Sequence, residues 1–257
     1  MEEAHSSTPE IANILTLLNE LFGESPVVRF LHHYENIFFS VIIITILAIV
    51  ARRATKNTSL IPGKLQNFVE LCVERLDDLI CGVLGHHYGR HYTPFLGTLF
   101  IYILVMNISG LVPGMKSPSS SLNTTIGLAI TVFCYVQYTG LRRLGVIGYI
   151  DHLLGRPRDI TGFLFIPLML PLHIMEELIK PLSLSLRLFG NILGEDALIA
   201  AFVSLGILAL SFIGSPVGLP LQTPFMLLAI ITGTIQALVF TMLSSIYILF
   251  MLPHEEH

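Results

Sequence analysis

Long apolar segments separated by short polar stretches dominate the pattern of this chain. A helix needs about 20 mostly apolar residues to cross the hydrocarbon core of a bilayer. Segments of that kind lie at residues 35–52, 94–113 and 122–141, and a longer apolar tract covers residues 162–252. The pattern predicts an all-α integral membrane protein.

The apolar tract 162–252 is too long for a single crossing. A Gly/Pro-rich stretch at residues 214–224 interrupts it and favours a turn. We therefore predict two long tilted helices, at about 176–213 and 224–252. The piece 162–172 contains two prolines and is predicted to be a separate short, tilted or re-entrant segment. The chain then has five crossings.

Residues 62–84 follow a different pattern. Apolar side chains recur every three or four residues, and acidic side chains occupy the opposite face. The apolar set is Leu65, Phe68, Val69, Cys72, Leu76, Leu79, Ile80 and Val83. This predicts an amphipathic helix that lies on the membrane surface or against a partner and does not cross.

Three histidines follow this helix, at positions 86, 87 and 91. Their spacing is compatible with a zinc site. Gly85 and Gly89 are expected to interrupt any helix there, so we predict a surface loop, with no metal and no cofactor.

Composition and charge narrow the class of protein. The chain is 53% hydrophobic and 12% charged, whereas soluble domains carry about 25% charged residues. The net charge of −4 gives no reason to expect nucleic acid as a partner. Residues 1–30 are polar or amphipathic and lack the basic start of a secretory signal. We predict one membrane domain over residues 1–257, with its first two spans within 35–113.

Lysine and arginine outside the apolar tract are concentrated in two connections. Ten lie in residues 52–90 and 141–160, and Arg29 and Lys116 are the two in the other loops. The positive-inside rule then predicts the N-terminus outside and the C-terminus inside. A bacterial plasma membrane, an organelle inner membrane or a thylakoid membrane would each suit this topology.

Ionisable residues are clustered inside the apolar tract. Each costs about 2.5–3.5 kcal/mol at mid-membrane on insertion scales. We expect them to face protein or water for this reason. The set is His173, Glu176, Glu177, Lys180, Arg187, Glu195 and Asp196, with Asn191 among them.

Helical geometry sorts this cluster. At about 100° per residue, Lys180 and Arg187 share a face, Asn191 lies one turn further on, and Asp196 points about 180° away from Arg187. Glu176 is placed to pair with Lys180 four residues later. Arg187 therefore has no anion on its own helix, and because it stays charged it needs one from another helix or chain.

Each of these residues also has a purely structural interpretation. Glu176, Glu177 and Lys180 would be interfacial if their polar ends reach water. Glu195 and Asp196 would need no special role if they lie near the outer surface. Gln236, polar in an apolar run, would serve as an interhelical hydrogen-bond donor or acceptor.

The run from Lys180 to Asn191, Lys-Pro-Leu-Ser-Leu-Ser-Leu-Arg-Leu-Phe-Gly-Asn, resembles subunit a of the F-type ATP synthase membrane sector. Residues 110–114, 122–125 and 236–240 extend the resemblance in the family's order. It thus covers about residues 100–252.

The resemblance implies a stator that lies against a rotating ring of small hairpin subunits, each carrying a carboxylate. Protons would enter by one half-channel, ride on the ring and leave by a second. Arg187 would attract the deprotonated ring carboxylate and block direct leakage. Peripheral-stalk subunits would be further partners, and no ATP site is expected in this chain.

The resemblance also suggests roles for individual residues. Asn191 and Gln236 would be the polar neighbours of the arginine on the two last helices, and Glu195 and Asp196 would line the outer half-channel. Glu176 would belong to the inner one. Lys180, Glu177 and His173 would be supporting residues. Some family members carry a histidine seven residues before the glutamine, and this chain has Ala229 there.

Three other interpretations of the sequence are possible. A secondary transporter of a small solute predicts internal repeats, and none is visible in the sequence. A structural scaffold would leave Arg187 and its carboxylates unexplained. A sodium-translocating member of the same family stays open, because ion choice is expected to reside in the ring.

Overall fold

A computed structural model of the chain describes residues 14–16, 18, 30–31, 33–56, 62–154, 160–211 and 219–252. Most of the predicted segment 1–30 and residues 214–218 of the predicted break lie outside these ranges. The helices are α1 (Glu35–Thr55), α2 (Lys64–Ser109), α3 (Leu122–Leu153), α4 (Ile160–Ser211) and α5 (Thr223–Phe250), with a short 3₁₀ helix at Pro118–Ser120. Each of the five long helices contains a stretch long and apolar enough to cross a membrane. The predicted all-α class with five crossings is confirmed.

Helix α2 is two helices that fold back on each other at Gly85. The backbone there has φ 77° and ψ 155°, a conformation that glycine adopts without steric cost. The Thr93 hydroxyl donates to the Asp77 carboxylate across the turn at 2.6 Å. A Cβ atom added to Gly89 would lie 2.5 Å from the Cys81 sulfur. The two arms are therefore in direct contact near their turn.

The surface loop predicted around the three histidines is wrong. His86, His87 and His91 all lie in the helix that follows Gly85. The chain reverses at a single glycine, and Gly89 is a packing position inside the next helix. In the part of the chain that the structure describes, no three His, Cys, Asp or Glu side chains are grouped to hold a metal ion.

Helix α3 extends past its predicted end at residue 141 and also reverses at a glycine. Gly145 has φ 70° and ψ 169°. Beyond it the chain returns along the helix, and the Tyr149 hydroxyl donates to the Gln137 side-chain oxygen at 2.5 Å. A Cβ atom at Gly140 would lie 3.3 Å from the Tyr149 ring, so this reversal also needs a small residue opposite the returning arm.

Helix α4 is unbroken over 52 residues. The prediction of a separate segment at 162–172 is therefore wrong, since Pro167, Pro171 and Pro181 all lie inside the helix. A proline removes one helical hydrogen bond, but ending the helix in an apolar medium would leave several backbone groups unpaired. At 1.5 Å per residue the helix is about 78 Å long. It fits a bilayer core of about 30 Å only if it is steeply tilted or extends beyond the core.

Helices α4 and α5 pack antiparallel. Phe202 stacks on Phe225 with ring centroids 4.0 Å apart. Closer to the connection, the Leu219 N–H donates to the Gly206 carbonyl at 3.1 Å. A Cβ atom at Gly206 would approach the Leu219 carbonyl oxygen to 2.2 Å, so only glycine allows this distance.

The chain divides into two compact units. The first unit comprises Met1–Arg53, Ile101–Thr124 and Leu188–Ala237, and the second comprises Ala54–Phe100, Thr125–Arg187 and Leu238–His257. Helices α2, α4 and α5 contribute one portion to each unit.

Gly89→Ala should destabilise the α2 hairpin by about 1–3 kcal/mol, because the added methyl group meets backbone and sulfur of Cys81. The matched control is Gly82→Ala, whose added methyl group meets nothing within 4 Å. It should be neutral or stabilising by up to about 1 kcal/mol. Chemical unfolding of the purified chain in detergent measures both. Equal stability of the two variants would contradict the packing described here.

Candidate functional site

The first unit brings Asn191 of α4 and Gln236 of α5 together. The Asn191 Nδ2 atom donates to the Gln236 Oε1 atom at 2.8 Å. Gln236 is only 4% exposed, whereas Asn191 is exposed. The buried carboxamide of Gln236 therefore has a hydrogen-bond partner. The pair of Asn191 and Gln236 continues the antiparallel register of Phe202 and Phe225.

Glu195 and Asp196 lie one turn further along α4 and point in different directions. Glu195 is half-buried and lies near Thr232 of α5, whose hydroxyl donates to the Leu228 carbonyl of its own helix at 2.9 Å. Asp196 faces the connection after α2, where its Oδ1 atom would lie 3.6 Å from a Cβ atom added to Gly110. The two carboxylates thus contact different elements of the same unit.

A buried polar network that the sequence analysis missed joins α2 to α5. The Asn107 Nδ2 atom donates to the Gly233 carbonyl at 3.0 Å, and the Ser119 hydroxyl donates to the Asn107 Oδ1 atom at 2.8 Å. Ser117 is 2.7 Å from Ser119 and donates to the Met106 carbonyl at 2.9 Å. An asparagine inside the apolar segment 94–113 was the available signal. We call these residues together with the α4 and α5 residues above the Asn191 cluster: Asn107, Ser117, Ser119, Asn191, Glu195, Asp196, Thr232 and Gln236.

The second unit contains a separate polar group, the Glu177 cluster, formed by Gln137, Tyr149, Glu177, Lys180 and Tyr247. The Glu177 carboxylate accepts hydrogen bonds from Lys180 at 2.5 Å and from Gln137 at 2.8 Å. Tyr149 in turn donates to Gln137. The Lys180 ammonium also lies 5.6 Å from the centre of the Tyr247 ring. Sequence reasoning missed Gln137, Tyr149 and Tyr247, because only the fold brings α3 and α5 against this part of α4.

The expected ion pair of Glu176 and Lys180 is present, but it is weaker than the ion pair of Glu177 and Lys180. Glu176 lies 3.4 Å from the Lys180 ammonium with its side chain 62% exposed, whereas the Glu177 side chain is 13% exposed and lies closer. Exposed ion pairs contribute little because water screens them. Glu177 is therefore the main partner of Lys180, and the Glu176 side chain remains mostly exposed.

Arg187 is an exposed cation on an apolar helix face. Its Nη2 atom lies 3.5 Å from the Ser183 hydroxyl, the outer limit of a hydrogen bond. Among the residues that the structure describes, no carboxylate forms an ion pair with Arg187, whereas Lys116 and Lys180 are both paired. Leu182 and Leu186 beside it are about half exposed. A Cβ atom at Gly190 would meet nothing within 4 Å, so the surface next to the guanidinium is open.

Two other positions from the sequence analysis have simple surroundings. The His173 Nδ1 atom lies 3.0 Å from the Met169 carbonyl oxygen of its own helix. Ala229 is buried and carries no polar group. The Ala229 backbone carbonyl lies 3.3 Å from the Thr232 hydroxyl of the Asn191 cluster. No described hydrogen bond joins His173 to either polar group.

These features define a class of protein: a multi-pass helical membrane protein with polar side chains buried in its spans and an exposed arginine on an apolar face. The chain matches the family described as ATP synthase A chain over residues 36–249. It belongs to this family. A secondary transporter is not favoured.

Individual relatives agree with the family assignment. The chain is 46% identical to the ATP synthase subunit a of Protochlamydia amoebophila (strain UWE25) over 99% of this chain and 93% of the relative. The corresponding subunit of Moorella thermoacetica is 40% identical over 84% of this chain and 89% of its own length. That of Aliarcobacter butzleri (strain RM4018) is 34% identical over 95% and 98%.

Asn107→Leu should destabilise the first unit by about 1–3 kcal/mol, because Ser119 and the Gly233 carbonyl lose a buried partner. Thr98→Val on the same helix is the control, since its hydroxyl is exposed and donates only to the Pro94 carbonyl of its own turn. Its effect should stay within about 0.5 kcal/mol. Unfolding midpoints of the purified chain measure both. An unchanged midpoint for Asn107→Leu would contradict a stabilising network.

Proposed function

We propose that this chain is the stator subunit of an F-type ATP synthase, in which protons reach and leave a rotating ring of small hairpin subunits. The observation that carries the proposal is Arg187. It is a permanent cation on an open apolar face, and no described carboxylate of its own chain pairs with it.

Arg187 would act through electrostatics. A guanidinium stays charged even in an apolar environment, where an unpaired charge has an unfavourable free energy. The approach of a mobile carboxylate lowers that free energy. A ring carboxylate that has lost its proton fits this requirement, and a protonated one does not. The weak contact with Ser183 leaves the guanidinium free to follow the carboxylate. A permanent positive charge would also oppose the passage of protons along a continuous chain of hydrogen bonds at this point.

The Asn191 cluster is proposed to line the outer half-channel. Its hydroxyl, amide and carboxylate groups run from the connection after α2 to Gln236 of α5 within one unit. Glu195 and Asp196 are the two titratable members and would exchange protons with water. Thr232 next to Glu195 supplies a polar group on α5, where this chain has Ala229 in place of a histidine.

The Glu177 cluster is proposed to line the inner half-channel. Lys180 and Glu177 neutralise each other at 2.5 Å, so this pair adds no net positive charge to that of Arg187. Glu176, whose side chain is 62% exposed, would accept protons that leave the ring. His173 is a supporting candidate on the same stretch of α4.

We propose that the chain works as one subunit of a larger membrane complex. Its partners would be the carboxylate-bearing ring and peripheral-stalk subunits, and nucleotide chemistry would take place elsewhere in the complex. The N-terminus would lie outside and the C-terminus inside a bacterial plasma membrane. The distribution of Lys and Arg supports this orientation.

Arg187→Ala should abolish coupled transport while the complex still assembles. The measurement is ATP-driven proton pumping by the reconstituted complex in vesicles. Arg187→Lys keeps the charge but lacks the planar guanidinium group, which can donate two parallel hydrogen bonds to a carboxylate. We therefore expect this variant to pump more slowly than wild type. Ser183→Ala, which removes only the 3.5 Å contact, is the control and should pump near the wild-type rate. Wild-type pumping by Arg187→Ala would eliminate the proposed role.

Asp196→Ala should slow pumping without uncoupling it. Loss of one polar group from the path is worth about 1–1.5 kcal/mol, which corresponds to about a tenfold lower rate. Asp151→Ala, which removes an exposed carboxylate of α3 outside both clusters, is the control. The readouts are the pumping rate and the ratio of protons moved to ATP hydrolysed. A changed ratio, or an equal effect of the two variants, would argue against Asp196 as part of a half-channel.

A further inference from the structure

A second polar site lies in the second unit, between the later arm of α2 and the end of the apolar part of α3. It is a cavity of about 200 Å³, and its lining includes the basic residues His91, Arg142 and Arg143. Tyr92 and Tyr135 also line it. The volume corresponds to several water molecules at about 30 Å³ each, so a hydrated phosphate-sized anion can enter.

The positive charge of this cavity is not neutralised within the described part of the chain. Arg142 and Arg143 are both exposed, and the described ion pairs belong to Lys116 and Lys180. The Arg143 guanidinium lies 5.6 Å from the centre of the Tyr88 ring, in the range of a cation–π interaction. Two adjacent guanidinium groups, one of them held over an aromatic ring, match the oxygens of a phosphate group.

Aromatic side chains pack against one another beside the cavity, and residues with hydroxyl groups line it. Tyr135 stacks on Phe95 with centroids 4.0 Å apart and meets Tyr92 edge-on at 6.2 Å. Thr139, only 4% exposed, lines the cavity. No described hydrogen bond uses its hydroxyl, which is therefore available to an anion.

The surroundings favour a phosphate group that is attached to a lipid. Arg142 and Arg143 directly follow the apolar segment 122–141, where a spanning helix reaches the level of lipid headgroups. Ile130, Cys134 and Tyr138 are exposed one turn apart along α3 and form an apolar stripe that leads away from the cavity. An acyl chain can lie along this stripe while its headgroup occupies the cavity.

From this geometry we infer that the cavity binds a phosphate group, supplied in the membrane by the headgroup of an anionic lipid. Arg142 and Arg143 hold the phosphate oxygens, Thr139 and Tyr138 donate hydrogen bonds, and the α3 stripe covers the acyl chain. None of these residues belongs to the Asn191 or Glu177 cluster. The site is thus independent of the proposed proton path, and its test does not depend on pumping.

The test measures lipid retention by the intact complex purified from nanodiscs that contain neutral lipid with one-tenth phosphatidylglycerol or cardiolipin. Native mass spectrometry counts the bound anionic lipid. Arg142→Gln with Arg143→Gln should weaken retention by about tenfold or more, since each cation near the headgroups contributes about fivefold. The matched control is Arg53→Gln with Arg75→Gln. Both arginines are exposed and are predicted on the same side of the membrane as Arg142 and Arg143, but they do not line the cavity.

A second variant covers the case in which the double glutamine change prevents folding. Arg142→Lys with Arg143→Lys keeps both charges but loses the fork geometry, so retention should fall by a smaller factor. Inorganic phosphate added at millimolar concentration tests the other source of the same group. Displacement of the lipid by phosphate would support the cavity as a phosphate-binding site and would identify the free ion as its ligand. Equal loss of lipid from the cavity variant and the control variant, or no retained anionic lipid in wild type, would overturn the proposal.

Discussion

A guanidinium group on an apolar surface is the constraint around which the other features of this protein are arranged. Arg187 cannot lose its proton, and the helix that carries it offers only the Ser183 hydroxyl at the limit of a hydrogen bond. The nearest cation along α4, Lys180, is by contrast held by Glu177 at 2.5 Å. One positive charge of α4 is therefore paired within the chain, and the other has no described carboxylate partner. In the proposed function, this difference would let Arg187 attract a passing carboxylate and release it again.

The close packing of α4 on α5 depends on small residues and on satisfied polar groups. In a bilayer there is little hydrophobic driving force between helices, so close approach and hydrogen bonds hold them together. Gly206 lets the returning chain pack directly against the helix backbone, and Asn191 finds Gln236 opposite it. Asn107 fixes α5 through the carbonyl of Gly233, three residues before Gln236. Helix α5 is thereby held in register by hydrogen bonds from both α2 and α4.

Several features of the site were predictable and others were not. Arg187, Asn191, Glu195 and Asp196 stand out because polar residues are rare inside an apolar tract, whatever the fold. The preference of Lys180 for Glu177 over Glu176 was not predictable, because both spacings suit a helix and only burial by α3 distinguishes them. Gln137 and Tyr149 become neighbours of Glu177 through the reversal at Gly145. That reversal depends on one backbone conformation and leaves no periodic signal in the sequence.

The sequence by itself determined that the protein is helical, that it crosses the membrane five times and which residues are too polar for an apolar span. These properties follow from hydropathy and helix length, which act locally along the chain. The tertiary structure alone decided that the chain turns back at Gly85 and Gly145, that α4 continues through three prolines, and which polar side chains meet. A glycine is a turn, a packing position or a breaker according to what lies opposite it. Such long-range contacts are set by side-chain volumes and hydrogen-bond partners from distant segments, and local patterns do not encode them.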